Sequence, residues 1–97
     1  MDSIDRVSDD SVFTRSEHVV SRTVDGEEVI VEPGNGMVNI ISAVGSRIWG
    51  LLDGNRTAVE IANIIAAEYE VEPDQALRDC LGFLSDMESK KLVNAAE

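Results

Sequence analysis

Few side chains in this sequence have a type and spacing that could do chemistry. The single histidine, His18, stands beside polar residues, with neither a second histidine nor clustered cysteines to complete a metal site or a base and nucleophile pair. It reads as a surface residue. The single cysteine, Cys80, lies among apolar residues at helical spacing, with nothing near it in sequence to lower its pKa, so it reads as a small core filler. Glu68, Glu70, Glu72 and Asp74 alternate as calcium-loop ligands do, but Pro73 occupies the place where a glycine would have to make the sharp turn. That stretch reads as a solvated acidic loop. No glycine-rich phosphate loop is present. These residues point away from an enzyme, and from any cofactor or metal, toward a protein that acts by binding.

Composition narrows the binding partners. The 97 residues are 43% hydrophobic, enough for one domain with one modest core. Nineteen acidic against eight basic residues give a net charge of -11, which repels phosphate backbones and anionic membranes and favours a neutral or cationic partner. A lone cysteine allows no internal disulfide, the first residues lack the basic and apolar regions of a signal peptide, and no apolar run could span a bilayer. The expected compartment is the cytoplasm. Asp2-Ser3-Ile4 echoes a phosphopantetheine attachment motif, but that serine must open a helix inside a bundle, and here it lies in a terminal stretch.

The elements follow from punctuation and period. Residues 1–16 show no sustained period and read as a flexible acidic tail, leaving 17–94 as the domain; Val12 and Phe13 could still contribute to a strand or a partner contact. Asp25-Gly26 is a two-residue hairpin signal, and Pro33-Gly34-Asn35-Gly36 joins the next two strands. A three-stranded antiparallel meander results. Its turns set Val20 opposite Val31, Arg22 opposite Val29, Val24 opposite Glu27, Val31 opposite Val38 and Val29 opposite Ile40. The face holding Val20, Val24, Val29, Val31, Val38 and Ile40 is apolar in every strand and is expected to pack on the helices.

Three helices come next. Ser42 caps the first, whose apolar residues Val44, Ile48, Trp49, Leu51 and Leu52 run to a stop at Gly54. Thr57 and Glu60 form a capping box for the second, and the short link between the two suits a helix-turn-helix. Pro73 and Asp74 open the third, which runs to about Lys90 or Lys91. Its apolar arc has one stripe of Leu77, Leu81 and Leu84, enough to seat it on the core. A second stripe of Ala76, Cys80, Phe83 and Met87 could either widen that seat or line a groove. Leu92 and Val93 fold back as an apolar clip.

The third strand is unusual. No charged residue occurs from Pro33 to Ser46, although 28% of the chain is charged. The last strand of a meander is an edge, and edges are ordinarily protected by charge, proline or a covering element. Either a helix covers this one, or it stands open for a peptide to add as a further strand.

The order of "IISAVGSRIWGLLDG", "RTAVEIANII" and "DCLGFLSDMESKKLV" resembles the PqqD family, the recognition elements of ribosomally made, modified peptides. The resemblance covers about residues 18–93 and implies an α+β winged helix-turn-helix, three strands before three helices. It implies a non-catalytic module that captures the leader segment of a precursor peptide as an added strand between third strand and third helix. The module would present that peptide to a modifying enzyme, in pyrroloquinoline quinone synthesis a radical S-adenosylmethionine protein. Carried onto this chain, the edge is Met37, Val38, Asn39, Ile40 and Ile41, and the groove wall is Ala76, Asp79, Cys80, Phe83 and Met87. Relatives often have an aromatic on the third strand and an asparagine before the first helix, where this chain has "MVNII" and Ser42.

Two readings compete. A winged-helix transcription regulator shares the fold but needs a basic recognition helix, and Arg78 is the only basic residue between Asp74 and Met87. A structural adaptor would bind an enzyme through its helices and keep the edge covered. Both a monomer and a dimer that swaps its N-terminal strand are compatible with the sequence.

Overall fold

Asp25 and Gly26 both take left-handed backbone angles, φ 53° and 82°, and so close a tight hairpin between β2 (Val20–Val24) and β3 (Glu27–Glu32). The computed structural model describes residues 7–96. A four-residue loop, in which Gly36 N donates to Glu32 O at 2.8 Å, returns the chain as β4 (Met37–Ile41). The sheet order is β2-β3-β4, with the register expected from the turns: Val20 faces Val31, Val31 faces Val38 and Val29 faces Ile40.

Three helices follow: α1 (Ala43–Gly50), α2 (Ala58–Tyr69) and α3 (Pro73–Ser89). The Ser42 hydroxyl accepts from Gly45 N, and Thr57 and Glu60 form the reciprocal capping box. Proline opens α3, with Asp74 in its first turn. The Arg47 guanidinium meets the Glu68 carboxylate through two hydrogen bonds of 2.9 and 2.7 Å, tying α1 to α2 at the surface. The result is an α+β winged helix-turn-helix, a three-stranded antiparallel meander followed by three helices.

The sheet face that packs on the helices is the opposite of the one expected. Val20, Val24, Val38 and Ile40 are exposed, Ile40 at 68%, whereas Ile30 is fully buried and Ile41 nearly so. The inner face carries few aliphatics because α1 supplies partners for its polar groups. Trp49 Nε1 donates to Ser21 Oγ at 3.3 Å. Ser46 Oγ accepts from Glu28 N at 2.7 Å and donates to Ile41 O at 3.1 Å, joining β3, β4 and the helix. Thr23 donates to Glu28, and Asn39 to Glu32, so the remaining polar side chains of this face are paired across the strands.

The N-terminal stretch also departs from expectation. Residues 1–6, the Asp2-Ser3-Ile4 motif included, lie outside the described residues, but residues 7–16 are no tail, and Val12 and Phe13 do join strand pairing. β1 (Phe13–Arg15) pairs antiparallel with β5 (Val93–Ala95), and Phe13 is buried in the core. The domain therefore begins well before residue 17. The physical reason lies in α2, whose first amides need acceptors: Ala58 N donates to Ser11 O at 2.8 Å and Val59 N to Asp9 O at 3.0 Å. Leu92 and Val93 are buried, as an apolar clip should be, and Val93 also starts β5.

Both corrections are measurable by chemical denaturation. Ile40→Thr is expected to change stability by no more than about 0.5 kcal/mol, as at an exposed site. Ile30→Ala is expected to cost about 2–5 kcal/mol and Phe13→Ala about 3–5 kcal/mol. Equal costs at positions 30 and 40 would contradict the orientation of the sheet.

Candidate peptide-binding groove

β4 is an edge of its sheet, paired only with β3. An antiparallel strand turns alternate N–H and C=O groups to each side, so β4 presents a row of main-chain donors and acceptors outward. No charged side chain or proline of β4 guards that row. Met37, Val38 and Ile40 are exposed, Asn39 is half-buried and Ile41 is buried. The Val38 and Ile40 side chains point away from the helices, leaving the backbone and Ile41 to form the groove side of the strand.

The floor of the groove depends on Gly45. A Cβ there would lie 2.5 Å from Ile41 Cγ2 and 2.9 Å from Phe83 Cε1, so only glycine lets both side chains press on the α1 backbone. This contact brings the end of β4 and the middle of α3 to the same turn of α1. Beside it opens a cleft of about 240 Å³ lined by Ser42, Val44, Gly45, Ile48, Asp79 and Phe83. Asp79 stands exposed at the mouth, its carboxylate accepting from Gln75 Nε2 at 2.8 Å. Apolar walls with one carboxylate at the rim suit an apolar side chain in an extended peptide, with a basic neighbour outside.

Of the wall residues expected on α3, the structure brings Asp79 and Phe83 to the groove. Ala76, Cys80 and Met87 are buried, at 1%, 0% and 2% exposure, and do not line it. They share a stripe with buried Leu84 that seats α3 on the core, while Leu77 and Leu81 flank that seat, half-buried. The wide arc thus divides at a different place: Phe83 sits at the margin of the stripe with which its spacing had grouped it, on the side toward Asp79. The Cys80 thiol points to Ala58 O at 3.7 Å, and burial pushes its pKa up to about 11. The residues sequence reasoning missed are on α1. Gly45 had one signal, a glycine inside an amphipathic helix where alanine is better by about 1 kcal/mol; Val44 and Ile48 had none, since their spacing says only that they face inward.

Among the described residues, no three His, Cys, Asp or Glu side chains converge as metal ligands, and no helix is long and apolar enough to cross a membrane.

A winged helix-turn-helix with an open strand edge beside its third helix defines a class of small domains built to bind an extended chain. The family model for coenzyme PQQ synthesis protein D (PqqD) matches residues 27–93, and the chain belongs to that family. The match leaves β1 and β2 outside it. The solved structure of TbiB1 in complex with the TbiA(beta) leader peptide is similar at 37% identity and TM-score 0.76, over 84% of this chain and 94% of that one. Lasso peptide synthetase B1 complexed with its leader peptide shares the fold, with 18% identity, TM-score 0.77 and coverage of 84% and 96%. So does the PqqD truncation of Methylobacterium extorquens PqqCD, a stand-alone recognition element for ribosomally synthesised and modified peptides, with 20% identity, TM-score 0.78 and coverage of 94% and 97%. A comparison with curated proteins finds no significant match.

The division of α3 predicts thiol behaviour. In the folded protein at pH 8, Cys80 is expected to resist a water-soluble thiol reagent, reacting only as the chain unfolds. Rapid labelling under native conditions would return Cys80 to the groove wall.

Proposed function

We propose that this protein is a leader-peptide recognition element. It captures the leader segment of a ribosomally synthesised precursor as an added strand on β4, with one side chain seated against Phe83. The observation that carries the reading is the open, uncharged β4 edge standing beside an apolar cleft, in a chain 37% identical to a protein solved with a leader peptide bound. Main-chain hydrogen bonds along Met37–Ile41 supply affinity with little regard to sequence, and the cleft supplies selection. The role is non-catalytic, and the bound peptide is handed to a modifying enzyme, whether a radical S-adenosylmethionine protein or its counterpart in a related pathway. The exposed outward face of the sheet lies next to the captured strand, where such an enzyme would meet peptide and carrier together. Surplus negative charge draws a basic leader and speeds encounter.

Amide NMR titration with synthetic TbiA(beta) leader peptide tests the reading. Shifts are expected on Met37–Ile41, on the first turns of α1 and on Asp79 and Phe83, with slowed exchange of the outward β4 amides. Phe83→Ala is expected to weaken binding about tenfold or more, the loss of a seated apolar side chain's contact being worth about 1–3 kcal/mol. Shifts confined to the outer helix faces, with β4 exchange unchanged, would instead favour an adaptor that binds through its helices.

A further inference from the structure

A second cleft, of about 280 Å³, lies beyond the other end of β4 and is lined by His18, Glu32, Gly34, Asn35, Lys90 and Lys91. Its charge is the reverse of the chain's. The Glu32 carboxylate is already occupied, accepting from Asn35 Nδ2 at 3.2 Å and Asn39 Nδ2 at 3.0 Å. Lys90 is shared with Asp86 at 3.2 Å. Lys91 has no ion pair among the described residues. Arg47, Arg56 and Lys90 are paired to carboxylates, Arg78 to Gln75, and Arg15 lies over Trp49, so that among the described residues Lys91 shares its lack of a partner only with Arg22, which lies away from this cleft on β2. A chain of net charge -11 thus keeps an uncommitted cation at the edge of a cleft.

The backbone at Lys91 is fixed as well, in the conformation that Glu70 takes at the end of α2. Its φ is 63°, the left-handed conformation after a helix end in which glycine is at ease and a lysine is strained. Lys90, one residue earlier, already supplies a cation at the carboxyl end of α3. The neighbouring arm holds the strained residue in place: Ser16 Oγ donates to Lys91 O at 2.7 Å and Ser16 N to Leu92 O at 2.9 Å. The ammonium is therefore carried on a pinned main chain.

The two clefts stand at opposite ends of β4, which spans about 14 Å from first to last residue. Phe83 and Lys90 are separated along α3 by a comparable rise of about 10 Å. A strand added along β4 would run from one cleft to the other. We infer that the cleft at Lys91 holds a side-chain carboxylate of the bound peptide, about four to six residues from the residue seated against Phe83. The groove then reads two anchors of different chemistry, apolar at one end and acidic at the other, and this pair sets the direction in which the peptide lies. The inference rests on peptide capture along β4.

The experiment selects displayed random twelve-residue peptides on the wild-type protein, on Lys91→Glu and on Lys91→Gly, each checked for folding by its amide spectrum. Wild type is expected to enrich Asp or Glu at a fixed spacing from an aromatic or aliphatic anchor. Lys91→Glu should enrich Lys or Arg at that same position and bind a wild-type-selected peptide roughly three- to tenfold more weakly. Lys91→Gly suits the left-handed backbone, so it should melt at a higher temperature while losing the acidic preference and keeping the anchor. If all three proteins enrich the same anchor with no acidic preference that depends on residue 91, the carboxylate subsite is overturned and peptide capture stands. If none of the three enriches any peptide, capture itself fails and the subsite falls with it.

Discussion

The closest constraint in the molecule is the absence of a Cβ at Gly45. Because Ile41 and the Phe83 ring both rest on the α1 backbone there, the end of the edge strand and the middle of α3 are held at one fixed separation. The width of the groove is therefore set by packing, which is far stiffer than a loop would be. The same helix holds the sheet from below through Ser46, whose hydroxyl engages both Glu28 N and Ile41 O, and through Trp49, whose indole reaches Ser21. A short helix thus fixes both walls of the cleft and, with Val44, Gly45 and Ile48, lines it as well.

The second support is a segment whose sequence has no sustained period. The stretch from Asp9 to Ser16 gives main-chain carbonyls to the open amino end of α2, adds Phe13 to the core and pairs with the chain after α3. Arg15 then lies over the Trp49 ring, 5.4 Å from its centre, and donates to Trp49 O at 3.2 Å. By bonding Lys91 O and Leu92 O through Ser16, the arm also fixes the end of α3. The carboxyl ends of α1 and α3 and the amino end of α2 are thereby tied to one segment.

Turns, caps and strand register were legible in the sequence because each rests on a local signal: Asp25-Gly26 for the hairpin, Thr57 with Glu60 for α2, Pro73 for α3. The lack of charge on the edge was legible too, from Pro33 to Ser46, but not whether a helix would cover it. The choice of sheet face was not. Period-two patterning sends the more apolar face inward, and it fails here because Ser46 and Trp49 of a helix still to come satisfy the polar inner face. The arm was legible only in part: Val12 and Phe13 marked a candidate strand, but the acceptors it lends to α2 are carbonyl oxygens, which every residue has. On α3 the period showed a wide arc, but where core ends and groove begins depends on the approach of α1, which spacing along α3 does not encode.

An open edge and an exposed apolar sheet face would ordinarily invite self-association. Charging β4 would prevent it but would also spoil the row of main-chain groups that a peptide needs. The chain places its negative charge elsewhere, along the N-terminal stretch, the β2–β3 hairpin, and α2, α3 and their link, so that every copy carries -11 while β4 stays neutral. Two copies approaching edge to edge repel one another over distances of about a Debye length, some 8 Å at physiological ionic strength. A neutral or basic peptide meets no such barrier. The acidity that weighs against nucleic acid at the level of composition thus has a structural use: it separates the intended partner from the commonest unintended one without altering the site.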